Sequence, residues 1–93
     1  MKNLGKLIKL PNIGKILEKS LNDIGINTFE ELREIGTKEA FLQIRMFVDE
    51  GACLHLIYAL EGAILGVRYT LLPPEIKTEL KDFFNSINKS KKE

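Results

Sequence analysis

The stretch Leu10-Pro11-Asn12-Ile13-Gly14-Lys15, followed after an amphipathic segment by Ile24-Gly25-Ile26-Asn27-Thr28, decides how this chain is read. Pro11 stops a preceding helix, because the residue before a proline is pushed out of the α region. Beyond it, Ile13, Ile16, Leu17, Leu21 and Ile24 recur at the spacing of one helical face, with Lys15, Glu18, Lys19 and Asn22 on the other. Two helices joined by a tight turn result. The second would begin with the backbone N–H groups of Ile13, Gly14 and Lys15 unpaired, and such donors at the positive end of a helix dipole form an anion site. Gly14 permits close approach of a phosphate, and Lys9, Lys15 and Lys19 add charge. Asn12 stands at the turn itself, where asparagine tolerates left-handed backbone better than other non-glycine residues.

Working outward, residues 3–10 are expected to form a short helix before Pro11. Thr28 followed by Glu31 is a capping-box pattern that opens a helix over residues 29–35. Thr37 is expected to cap the next helix, over residues 38–48. Residues 52–65 form an apolar central helix, residues 67–72 a connector, and Pro73-Pro74-Glu75 the start of a last helix running through Ile87. Gly25 and Gly36 suit left-handed positions just past helix ends. Gly62 and Gly66 are spaced to let another segment pack closely against the central helix, with Gly66 also ending it. No stretch alternates as a strand does. The expectation is an all-α protein: a compact bundle of five or six short helices with an N-terminal helix-hairpin-helix-like unit. It forms a single domain over residues 1–93, with residues 88–93 as a basic flexible tail.

Charge is uneven along the chain. The 93 residues carry 14 basic and 13 acidic side chains, net +1, which excludes a binder that works by bulk positive charge. Resolved by segment, residues 1–22 hold five lysines against Glu18, whereas residues 23–50 hold seven acids against three bases. The basic charge therefore coincides with the hairpin. The most apolar stretch, residues 52–66, contains 11 apolar residues of 15 and is interrupted by Glu61, short of the roughly 20 needed to span a bilayer. No membrane association and no signal peptide are expected. Cys53 is the single cysteine and cannot close an intramolecular disulfide, so the chain reads as reduced and cytoplasmic.

The inventory for catalysis is thin. Cys53 and His55 are the only close pair of nucleophile and base, and residues two apart on a helix point to different faces. Cys53 is expected to be a small core residue and His55 a partly buried, hydrogen-bonded one. Glu30, Glu31 and Glu34 crowd a helix start, where carboxylates favour the dipole. Neither a Walker-type nor a dinucleotide-binding glycine motif occurs. No enzyme activity, cofactor, metal or small-molecule substrate is expected. Glu61, inside the apolar helix, needs a partner, and Arg45, Arg68 or a helix N-terminus are the candidates.

Two resemblances extend this reading. Residues 4–25 resemble the helix-hairpin-helix motif, whose Leu-Pro-Gly-Ile-Gly hairpin holds the DNA backbone without reading sequence; Asn12 here occupies the place of the first glycine. More broadly, three groups of residues are similar to the C-terminal domain of the TfoX/Sxy competence-regulator family over residues 8–82. They are Leu10-Pro11-Asn12-Ile13-Gly14, Leu32-Arg33-x-Ile35-Gly36 and Tyr58-Ala59-Leu60-Glu61-Gly62-Ala63, continuing to Gly66 and Leu72-Pro73. The resemblance implies a helical domain of helix-hairpin-helix or SAM-like type. The family's best-known members activate competence genes, and in them this domain follows a separate N-terminal one, which this sequence is read as lacking. The expected partner is DNA, contacted at its phosphates through Lys9, Asn12, Ile13, Gly14, Lys15 and Lys19. The alternative is a protein-interaction module or homodimer, using surface drawn from Phe41, Met46, Phe47, Tyr69, Phe83 and Phe84.

Overall fold

The computed structural model describes residues 7–92, with side chains through residue 88. A 3-10 turn at Leu7–Lys9 leads into helices α1 (Lys15–Asp23), α2 (Phe29–Ile35), α3 (Thr37–Phe47) and α4 (Leu54–Leu65). A second 3-10 turn at Tyr69–Leu71 then precedes α5 (Pro74–Lys92). No strand occurs among the described residues, and the all-α architecture is as the sequence implies. Of the short helix expected over residues 3–10, residues 3–6 lie outside the described residues; the rest is the 3-10 turn. The last helix extends past Ile87, with α5 running through Lys92.

The helix boundaries follow from local chemistry. At the end of α1, Ile26 N–H donates to Leu21 O at 2.8 Å and Gly25 N–H to Asn22 O at 3.0 Å, with Gly25 at φ 90°. This pairing satisfies two of the last carbonyls and is available because glycine carries no Cβ. It also places Leu21 and Ile26 in the core. The capping box opens α2 as expected: Thr28 Oγ1 accepts from Glu31 N–H at 3.2 Å, and Glu31 Oε1 accepts from Thr28 N–H at 3.2 Å.

Gly36 departs from expectation. Its φ of 87° is positive, but its ψ of 161° is extended, and it serves both as the last cap of α2 and the first cap of α3. Thr37 is consequently the first residue inside α3 rather than its cap. It is buried, and its hydroxyl donates to Glu61 Oε1 at 2.6 Å. Glu61 thus finds its partner at a helix N-terminus, and Arg45 instead bonds Asn88.

α4 is the hub, packed against α2, α3, α5 and the 69–71 turn. The core gathers Leu7, Leu21, Leu32, Phe41, Ile44, Ile57 and Leu60, all essentially inaccessible. Along the seam between α3 and α5, the Phe41 and Phe84 rings meet edge to face at 6.0 Å, and the Arg45 guanidinium lies over both. Arg45 Nη2 also donates to Asn88 Oδ1. Lys38 adds a link to Glu79 at 2.9 Å. Cys53 and His55, expected in or near the core, are both exposed: α4 begins only at Leu54, which leaves Cys53 as its cap, and His55 packs edge to face against Tyr69.

Candidate phosphate-binding hairpin

The hairpin between the first 3-10 turn and α1 is held from outside itself. Asn12 adopts φ 70°, the left-handed conformation anticipated for it, and turns its side chain inward. Its Nδ2 donates to Val67 O at 2.9 Å and to Ala59 O at 3.4 Å, while its Oδ1 accepts from Tyr69 N–H at 3.0 Å. One amide therefore clamps the hairpin to the end of α4 and to the connector that follows. Gly62 makes room for the clamp: a Cβ there would stand 2.5 Å from Asn12 Nδ2 and 2.7 Å from Val67 O. The close approach expected at the Gly62–Gly66 pair is real, but the guest is the hairpin. Gly66, at φ 81° and ψ 25°, ends α4 in left-handed geometry as anticipated.

With its side chain so occupied, Asn12 presents backbone, not amide, to the outside. Ile13 is buried, and its N–H donates weakly to Leu10 O at 3.4 Å, so it is not among the open donors. Those begin one residue later. Gly14 is the extended N-cap of α1, exposed, with no side-chain cap and nothing within 4 Å of where a Cβ would lie. Glu18 N–H is the first to be satisfied by the helix, from Gly14 O at 2.9 Å. The N–H groups of Gly14, Lys15, Ile16 and Leu17 have no partner among the described residues.

Lys9 and Lys15, before and after Gly14 in the sequence, are both exposed. Lys19 is exposed too, but its ammonium is paired with Asp23 at 3.1 Å. A cation not foreseen at the site is Arg68. It lines, with Lys9, Pro11 and Asn12, a shallow groove between the hairpin and the 66–71 connector. Because Arg68 is 56 positions from Asn12 in sequence, only the clamp brings the two together, and no local pattern marks it. Ile16, expected on the buried face of α1, is 85% exposed, since Leu17 and Leu21 alone face inward on that turn.

Among the described residues there is no group of three or more His, Cys, Asp or Glu side chains arranged to hold a metal ion. No helix among them is long and apolar enough to cross a membrane.

The TfoX C-terminal domain family matches residues 3–84. Protein Sxy of Escherichia coli (strain K12) is 33% identical over 85 residues, covering 88% of this chain but 39% of its own length. The chain thus spans well under half of that relative. Two crystal forms of an uncharacterized protein from Listeria monocytogenes, triclinic and tetragonal, are each 48% identical with a TM-score of 0.85. They cover 88% of this chain and 92% and 99% of theirs.

Proposed function

We propose, from the premise that this chain belongs to the TfoX C-terminal domain family, that it is a non-enzymatic regulatory module binding DNA phosphates weakly and without sequence specificity. The observation that carries this reading is the open start of α1. An uncapped helix terminus with Gly14 bare to solvent is followed by the exposed Lys15, and Lys9 and Arg68 line a groove beside the hairpin turn. A phosphate oxygen seated there accepts from backbone donors and gains from the helix dipole, while the cations neutralise its charge. None of these groups reads a base edge, so the binding is independent of sequence. The net charge of only +1 limits the contact to a few phosphates, which makes it weak and salt-sensitive.

The test is a fluorescence anisotropy titration of duplex DNA at stepped salt concentration. Two or three engaged phosphates give a log–log salt slope of about −2 to −3. Lys15→Glu is expected to abolish measurable binding. Absence of binding at low salt, or an unchanged affinity and slope in that variant, rules the reading out.

A further inference from the structure

The 13 acidic side chains are spread along the chain, but two stretches hold none, residues 1–17 and residues 62–74, the two longest such stretches in the sequence. The first contains the hairpin and the second the connector after α4, and the Asn12 side chain ties them together through Val67 O and Tyr69 N–H. Between them lies the groove of about 630 Å³ that Lys9 and Arg68 line. No carboxylate borders it, and neither cation has an acidic partner among the described residues. The fold has thus brought the two acid-free stretches into one surface whose charge suits an anion.

The same groove carries apolar side chains beside its cations. Tyr69 and Leu71, both among its lining residues, are 37% and 69% exposed. Tyr69 is held in place twice, its N–H by Asn12 Oδ1 at 3.0 Å and its ring edge to face against His55 at 6.0 Å. A paired duplex meets a protein with phosphates and groove edges, and its base faces stay covered in the stack. An unpaired strand offers phosphates and open base faces together, and stacking on an aromatic ring is tolerant of sequence because every base has such a face. We infer that this groove holds single-stranded DNA, with phosphates at Lys9 and Arg68, one base against the Tyr69 ring and Leu71 beside it. The inference rests on the phosphate-binding reading and specifies its substrate as an unpaired strand. The groove includes Asn12, two residues before Gly14 and so less than about 8 Å away along the backbone. Neighbouring phosphates of one strand therefore reach both the groove and the start of α1. An acidic peptide would satisfy the cations but bring no base to Tyr69.

The measurement is fluorescence anisotropy of the 93-residue chain at low salt, with a labelled oligothymidylate of about 12 nucleotides and a duplex of the same length. The single strand is expected to bind about tenfold more tightly than the duplex. Tyr69→Ala should lower the strand affinity about tenfold and leave that for duplex within about twofold, whereas Tyr69→Phe, which keeps the ring, should bind the strand like the parent. Leu71→Glu places an acid in the groove at an exposed position and should weaken strand binding about tenfold, with helicity checked for each variant by circular dichroism. Binding of neither DNA removes the phosphate-binding reading and this inference together. Duplex bound as tightly as the strand removes the inference alone, as does a strand affinity unchanged in Leu71→Glu or lost equally in Tyr69→Phe and Tyr69→Ala. An oligoglutamate of matched charge that displaces the labelled strand as well as unlabelled oligothymidylate does shows a groove that reads charge only, and overturns it too.

Discussion

Asn12 and Gly62 are fitted to one another: the amide of the first fills the space that the missing side chain of the second leaves on α4. The pair joins the turn of the hairpin to the central helix. Gly62→Ala would force a methyl to 2.5 Å from Asn12 Nδ2 and 2.7 Å from Val67 O. The expected cost is about 2–3 kcal/mol, since the Val67 carbonyl is backbone and yields little. In an Asn12→Gly background the same substitution should cost less, because one of the two obstructions is gone. Urea denaturation of the four chains in this cycle measures the coupling.

Asn12 itself separates two roles that a hairpin glycine would not. Asn12→Gly keeps the left-handed backbone but leaves Val67 O and Tyr69 N–H without their partner, at an expected cost of about 1–3 kcal/mol. Asn12→Ala adds the left-handed penalty of a non-glycine residue, about 1 kcal/mol more. Thermal melting should therefore rank the parent above Asn12→Gly, and Asn12→Gly above Asn12→Ala, with several degrees between each in a domain of this size.

The buried Thr37 donates to Glu61, linking α3 to α4. Thr37→Val preserves shape and removes the donor to Glu61 Oε1, leaving a half-buried carboxylate oxygen unsatisfied. A loss of about 1–3 kcal/mol is expected by chemical denaturation. Thr37→Ser, which keeps the hydroxyl, should retain most of the stability.

The cations around α1 differ in their freedom. Arg68→Glu is expected to weaken DNA binding about as strongly as Lys15→Glu does, although it lies outside the hairpin sequence. Lys19→Glu should have a smaller effect, because the Lys19 ammonium is already held by Asp23. Anisotropy titrations at one low salt concentration, with helicity checked for each variant, give the ranking.

The sequence was most legible where one residue type answers one local demand. The Thr28–Glu31 capping box, Gly25 after α1, Gly66 after α4 and the apolar centre of α4 all lie where their chemistry puts them. It was least legible where two distant segments share a residue. Gly36 serves two helices, which displaces Thr37 from a cap to the interior, and that displacement is what gives Glu61 its donor. Ile16 fits the helical period yet faces outward, because periodicity fixes a stripe of the helix but not how wide a neighbour covers it. Of the candidate site, Lys9, Gly14 and Lys15 are exposed. Asn12 is turned inward, Ile13 is buried, and Lys19 is paired. Of the alternative interaction surface, Met46 and Phe47 are exposed, whereas Phe41 is wholly buried and Phe83 and Phe84 pack against the core.

The Asn12 clamp reaches partners 47, 55 and 57 residues further along the chain. The loop it closes is long, so the turn gains its final geometry only after α4 and its connector are assembled. An isolated peptide covering the first two dozen residues has the lysines and the glycine but not the clamp, and with it loses the neighbouring Arg68. The hairpin is in this sense a late product of folding. Anything that binds it draws on the cooperative stability of the whole chain, and raises the free energy of unfolding in return.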